Sequence, residues 1–91
     1  MEKSYRFYVS GLVQGVFYRK NVEENARKHG FSGYVRNMLD GRVEAVSTME
    51  EHRLEEFLEI LRKGSPSSVV ERVETEEIKT HYEGIFEIRY K

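Results

Sequence analysis

Two stretches of the chain carry residues whose types and spacing can do chemistry. The first is Gly11-Leu12-Val13-Gln14-Gly15-Val16-Phe17-Tyr18-Arg19. Its pattern predicts the end of a strand, a glycine-containing loop and the start of a helix. Amides in such a loop and in the first helical turn have no partners inside the helix. Together with the helix dipole they make a site for an anion. Arg19 falls in that first turn, where a cation is mildly unfavourable for the helix itself. The position makes sense if the guanidinium turns into the loop and grips an oxyanion with a fork of hydrogen bonds. An ordinary loop followed by a solvated arginine has the same pattern, so this stretch alone leaves both readings open.

The second stretch is Gly33-Tyr34-Val35-Arg36-Asn37-Met38-Leu39-Asp40-Gly41-Arg42-Val43. Asn37 closes a predicted strand and reads by itself as a turn residue bonding its own backbone. Asp40 and Gly41 read as turn chemistry, and Arg36 as a solvent-facing strand residue. Other chemistries find no residues. There is no G-x-x-x-x-G-K-[ST] loop and no G-x-G-x-x-G. His29, His52 and His81 are scattered and form no H-x-x-x-H pair, so no metal or cofactor is expected. Seven serines are present, none in a G-x-S-x-G context.

Composition narrows the classes further. The 91 residues fit one domain, residues 1–91. Surface scaling gives roughly 5,500 Å² for the folded chain, enough burial for one core without disulfides or metal staples. With no cysteine, thiol catalysis, disulfide frameworks and Cys-ligated zinc are excluded, and a reducing, cytoplasmic compartment fits. Fifteen Lys and Arg against sixteen Asp and Glu give a net charge of −1, so no bulk attraction to nucleic acid or anionic lipid arises. No apolar run approaches the ~18 residues of a membrane span, and charged residues follow Met1 at once. The expectation is a soluble cytoplasmic monomer or small oligomer, with no nucleic acid and no membrane as partner. Fifteen Glu beside a single Asp, with only four Asn and Gln, is a composition found in heat-adapted proteins.

The elements that would hold these residues follow from periodicity. Tyr5, Phe7 and Val9 alternate with polar residues as a half-buried strand. Tyr18, Val22, Ala26 and His29 share one face of a helix over 18–29, closed by Gly30 as its C′ residue. Strands are predicted over 31–37 and 42–48, joined by a tight Asp-Gly turn. Thr48 and Glu51 read as a capping box. Leu54, Phe57, Leu58 and Leu61 then mark a second amphipathic helix, stopped by Gly64-Ser65-Pro66. A polar strand over 69–79 and a final one over 85–90, with Phe86, Ile88 and Tyr90 inward, complete the chain. This order predicts an α+β, ferredoxin-like split βαβ sandwich, with two helices on one face of a mainly antiparallel five-stranded sheet. Such a fold names no function by itself.

The two stretches together resemble the two signatures of the acylphosphatase family. The first resembles G-x-V-Q-G-V-x-F-R, and the second resembles G-[aromatic]-V-[basic]-N-x-x-x-G-x-V. Their order and separation, the chain length and the closing Phe86-Glu87-Ile88-Arg89-Tyr90 extend the resemblance from about Tyr5 to Tyr90. Tyr18 departs from the family's usual Phe or Met, and its hydroxyl must find a partner or reach solvent. Met49 stands where the longer second signature has Gly, which leaves open the turn into the second helix.

The resemblance implies hydrolysis of acyl phosphates to a carboxylate and inorganic phosphate, with no metal, no cofactor and no covalent intermediate. It implies that Arg19 binds the phosphate, that Asn37 positions the attacking water, and that the backbone of Gln14, Gly15, Val16, Phe17 and Tyr18 forms the cradle. The reaction suits such an inventory, because phosphoryl transfer asks mainly for positioning and charge stabilisation. The leaving carboxylate, with a pKa of roughly 4, departs without a proton.

Two other readings use the same residues without catalysis. Gly30-Phe31-Ser32-Gly33-Tyr34-Val35-Arg36 partly resembles a stretch of ribonucleoprotein-type RNA-binding modules, but on the second strand, not the third. A phosphorylated-ligand-binding domain of a larger assembly, as in hydrogenase-maturation carbamoyltransferases, is the other. The chain stops one residue after the last predicted strand, so a free-standing enzyme is expected.

Overall fold

The computed structural model describes residues 1–90. The expected domain of residues 1–91 thus has its last residue outside the described ones. The elements are β1 (Glu2–Leu12), α1 (Tyr18–Lys28), β2 (Ser32–Asn37), β3 (Val43–Glu50), α2 (Leu54–Lys63), β4 (Val69–Ile78) and β5 (Glu87–Arg89). A short 3-10 turn, Glu51–Arg53, leads from β3 into α2.

The sheet order is β4-β1-β3-β2-β5. β1 lies between β4 and β3, antiparallel to both, and β2 runs antiparallel to β3. β1 and β2 therefore point the same way with β3 between them, and α1 is the crossover that joins them. β3, α2 and β4 repeat this arrangement around β1. These are the two split βαβ units that the sequence predicts. β5 adds a parallel edge beside β2.

Strand alternation sets the two faces of the sheet. Tyr5, Phe7 and Val9 of β1, Val35 of β2, and Val43 and Ala45 of β3 enter the core with Val22 and Ala26 of α1 and Phe57 and Leu61 of α2. Phe57 is the hub. Its ring centroid lies 5.0 Å from Phe7 and from Phe31, and 6.0 Å from Phe86. The accessible surface of 5524 Å² agrees with the value scaled from mass. On the opposite face Glu44 is buried and bound by Tyr34 Oη at 3.0 Å, Arg36 Nε at 2.7 Å and Arg6 Nε at 3.2 Å. Arg36 thus stands on the helix-free face, half-buried in an ion pair. Among the described residues, no helix is long and apolar enough to cross a membrane.

Local chemistry explains the element ends and corrects several expectations. α1 closes as a Schellman motif: Phe31 N–H donates to Ala26 O at 2.9 Å and Gly30 N–H to Arg27 O at 3.1 Å. The expected capping box is absent. β3 continues through Met49 and Glu50, and the Thr48 hydroxyl is already engaged. It shares a 2.6 Å hydrogen bond with Ser4 Oγ and accepts from Tyr82 N–H at 2.9 Å. Met49 is a buried strand residue, and the 3-10 turn makes the bend into α2. His29 lies beyond α1, exposed, with Nδ1 3.2 Å from Glu56, and takes no part in the core. β4 stops at Ile78, one residue short of the predicted end. β5 is only three residues long, and Tyr90 is 79% exposed, not inward.

Candidate active site

The stretch between β1 and α1 has the strand end, glycine-containing loop and helix start that its sequence predicts. β1 bends at Ser10/Gly11, where its register against β4 shifts. Gly11 has φ 127, and a Cβ there would run into the Val69 carbonyl oxygen, so only glycine lets the two strands pass this closely. The chain then leaves the sheet and turns through Gly15 (φ 72) and Phe17 (φ 62) before α1 begins at Tyr18. Two left-handed residues within three positions curl the backbone of this loop.

Three contacts hold this loop. Gln14 Nε2 donates to Met38 O at 2.8 Å and to Arg42 O at 2.9 Å, which ties the loop to the β2–β3 turn. Ser65, itself buried, donates from Oγ to Val16 O at 2.6 Å. The Phe17 carbonyl accepts from Asn21 N at 3.1 Å and Asn21 Nδ2 at 3.0 Å, capping α1 through its backbone. These contacts use side chains and carbonyls. The amides of residues 14–18 donate to no acceptor among the described residues.

Arg19 stands in the first turn of α1, which carries no acidic residue. Its guanidinium lies over the Tyr90 ring, 5.0 Å from the centroid. Among the described residues it is the one arginine of nine without a carboxylate partner. Gly15, Phe17, Tyr18 and Arg19 face a shared hollow of about 430 Å³, closed on the far side by Ile88 and Tyr90.

The other sequence-predicted residues fall around this hollow with different duties. Tyr18 is 1% exposed and its hydroxyl donates to Leu61 O at 2.8 Å, so only its backbone can join a cradle. Burial pushes that phenol well above the ordinary tyrosine range. Val16 packs against the core. Asn37 does not line the hollow; it ends β2 on the helix side, the same side as Val35. The parallel register pairs Arg36 with Arg89, so Asn37 and Tyr90 leave the sheet side by side. Asn37 Oδ1 is buried and has no hydrogen-bond partner among the described residues. It does not bond its own turn, as the sequence alone allowed. Asp40 does the turn chemistry, accepting from Arg42 N at 3.0 Å and Arg42 Nε at 2.8 Å.

Sequence reasoning placed Gln14 in the cradle by its backbone and missed its side chain. The signal was a lone amide side chain in an otherwise apolar loop. Nothing in the sequence marks Ser65. Tyr90 was read as core because its strand period was extended one residue too far. No group of three His, Cys, Asp or Glu converges among the described residues.

This is an α+β sandwich whose strand-to-helix loop keeps undonated amides beside the one arginine that lacks a carboxylate partner among the described residues, an arrangement suited to an anion such as phosphate. The acylphosphatase family model matches residues 5–88. The acylphosphatase of Rubrobacter xylanophilus is 49% identical over 75 residues, covering 82% of this chain and 68% of that protein. The crystal structure of acylphosphatase from Bacillus subtilis superposes with a TM-score of 0.86 at 37% identity, covering 99% of this chain and 100% of that one. The HypF of T. kodakarensis contains a similar unit, with a TM-score of 0.84 and 32% identity over all of this chain and 12% of that one. The chain belongs to the acylphosphatase family. It is a hydrolase that cleaves small-molecule acyl phosphates to a carboxylate and inorganic phosphate.

Proposed function

We propose that Arg19 and the backbone amides of Gln14, Gly15, Val16, Phe17 and Tyr18 hold the substrate phosphate, and that Asn37 holds the attacking water. The unpaired state of Arg19 beside the left-handed loop carries this reading. A guanidinium with no carboxylate to satisfy it keeps its donors for an oxyanion. The undonated amides supply dipoles fixed before the substrate arrives, so no reorganisation is needed as charge moves in the transition state.

The buried Asn37 oxygen supports the second role. An amide oxygen accepts a proton bond from water and fixes its lone pair toward phosphorus. It is too weak a base to remove the proton, which passes to a phosphate oxygen. The new P–O bond forms as the bond between phosphorus and the acyl oxygen breaks, and the carboxylate leaves with that electron pair. No general acid is required, because the carboxylate is already a stable anion at neutral pH. The side chains invoked require neither a metal nor a cofactor.

The protein works as one monomeric acylphosphatase-like domain in this reading, supported by its single sheet and single core. The absence of cysteine supports a cytoplasmic setting, and the Glu-rich, amide-poor composition supports heat adaptation.

Arg19→Ala tests the proposal. Arginines that stabilise phosphoryl transfer are worth about 10³–10⁵ in rate, so kcat/KM for acetyl phosphate falls by at least ~10²-fold and competitive inhibition by inorganic phosphate disappears. A variant within a few-fold of wild type removes Arg19 from the site.

A further inference from the structure

We propose that the rings of Phe17 and Tyr90 form a shelf for the acyl group, so that the enzyme prefers acyl phosphates with an aromatic or bulky apolar acyl group. The inference rests on the placement of the phosphate at Arg19.

Both rings are 79% exposed, and both border the hollow that Arg19 faces. Single exposed apolar residues need no explanation, but grouped ones beside a polar anchor mark a ligand surface. Phe17 is the sharper case. Among the described residues it is the one non-glycine residue with positive φ, at 62. A bulky L-residue in the left-handed region is disfavoured, and Gly or Asn would hold the same turn at less cost. The ring recovers nothing by packing, since most of it lies in solvent. Neither the backbone nor the core accounts for a Phe here.

Tyr90 follows from the strand period. Phe86 is buried, Ile88 is half-buried, and Tyr90 projects past the end of β5 beneath the Arg19 guanidinium. A phosphate on that guanidinium carries its acyl carbon only two bonds from phosphorus. The acyl group therefore lies over these rings or in open water. Behind the rings stand Val13 and Ile88, and among the described residues no carboxylate lines the hollow. Lys20 borders it as well, but its amine is exposed and 3.9 Å from Glu24, a solvated charge with little hold on a substrate. An apolar acyl group gains by covering apolar wall, whereas acetyl is too small to reach it and a charged group loses hydration there.

The test compares kcat/KM for benzoyl phosphate, acetyl phosphate and an acyl phosphate bearing a second carboxylate. Wild type is set beside Phe17→Asn, Tyr90→Ser, the double variant and Tyr90→Phe. Asn tolerates the left-handed conformation, so Phe17→Asn removes the ring and keeps the turn. Intrinsic differences in leaving-group reactivity cancel when the benzoyl-to-acetyl ratio is compared between variants. The ratio falls about threefold in each single ring deletion and about tenfold in the double variant, the worth of roughly two covered methylene equivalents. Tyr90→Phe retains the wild-type ratio. An unchanged ratio in the double variant overturns the shelf, and so does a wild-type preference for the carboxylate-bearing substrate. Inorganic phosphate inhibition separates the two levels. If Arg19→Ala abolishes it while the ratio ignores both rings, the shelf alone fails; if inhibition survives Arg19→Ala, the placement of phosphate at Arg19 fails.

Discussion

Replacing Gln14 by Glu preserves shape and inverts the hydrogen-bonding sense of one group. Nε2 of Gln14 donates to the carbonyls of Met38 and Arg42 at 2.8 and 2.9 Å. A carboxylate has no proton to give and sets negative charge against both oxygens. Neither carbonyl becomes entirely bare. Met38 O still accepts from Gly41 N at 3.3 Å, and Arg42 O from Met38 N at 2.8 Å. At ~1–3 kcal/mol for each buried partner lost, the lower end applies, and the total is ~2–4 kcal/mol. A domain of this size shifts in Tm by about 4–8 °C per kcal/mol, so Gln14→Glu melts ~8–32 °C below wild type at pH 7.

Thermal melting followed by circular dichroism across pH supplies a second, sharper readout. The two facing carbonyls raise the pKa of the new carboxyl in the folded state above its unfolded value of about 4.3. The folded variant therefore holds that proton more tightly than the unfolded chain does. Its deficit is fully present above the folded pKa and shrinks as pH falls through it, because protonation restores one donor. The Tm gap between variant and wild type narrows from pH 7 to pH 4. Turnover falls as well, since the cradle loses its tie to the turn that carries Asn37. A variant melting within about 2 °C of wild type, or a gap independent of pH, refutes the role of Gln14 as the tie.

Three other outcomes follow from the same geometry. Asn37→Ala lowers kcat by about 10²–10³-fold, the range for losing one preorganised polar group, and leaves phosphate inhibition intact; steady-state kinetics with phosphate as inhibitor checks both. The same variant melts no lower than wild type, because it deletes a buried oxygen that has no partner among the described residues. Tyr18→Phe leaves the Leu61 carbonyl without its 2.8 Å donor and costs ~1–3 kcal/mol in urea unfolding. Burial and the Glu44 carboxylate push the Tyr34 hydroxyl up to about 12, so the folded state favours the neutral phenol. The stability this gives is present below pH ~10 and is lost as pH rises toward 12; alkaline melting curves of Tyr34→Phe lose less over that window than those of wild type.

The fold was legible because its signals are local. The period-two run of Tyr5, Phe7 and Val9 marks β1, the Asp-Gly turn marks the hairpin of β2 and β3, and Leu54, Phe57, Leu58 and Leu61 mark α2 within one helical stripe. The misreadings share one physical cause. Thr48 has every local feature of a cap, yet its hydroxyl bonds Ser4 and Tyr82, which are 44 and 34 residues away. A long-range partner outcompeted the local one, and no spacing rule detects it. His29 continues the stripe of α1 on paper, but the Schellman turn ends the helix before it. In the site, residue types and positions were legible and side-chain directions were not. Gln14 reaches the next turn instead of the cradle, and Tyr18 serves the core while its amide serves the loop.

What marks the site physically is where the fold leaves groups unsatisfied. Eight arginines have carboxylates, and the buried Glu44 has three donors around it. Arg6 Nε makes no aligned hydrogen bond, but it sits 3.2 Å from that carboxylate. The exceptions gather at one end of the sheet: unpaired Arg19, the undonated amides of residues 14–18, the orphan oxygen of Asn37 and the left-handed Phe17. Buried polar groups are ordinarily paired, and departures from that rule concentrate where a ligand completes the set. In the proposed site a phosphate brings acceptors for the guanidinium and the amides, and a water brings a donor for the amide oxygen. The same arithmetic explains how a chain with net charge −1 binds an anion. Among the described residues its other arginines are each paired with a carboxylate, and in the proposed site a substrate charge takes the place of a glutamate at Arg19.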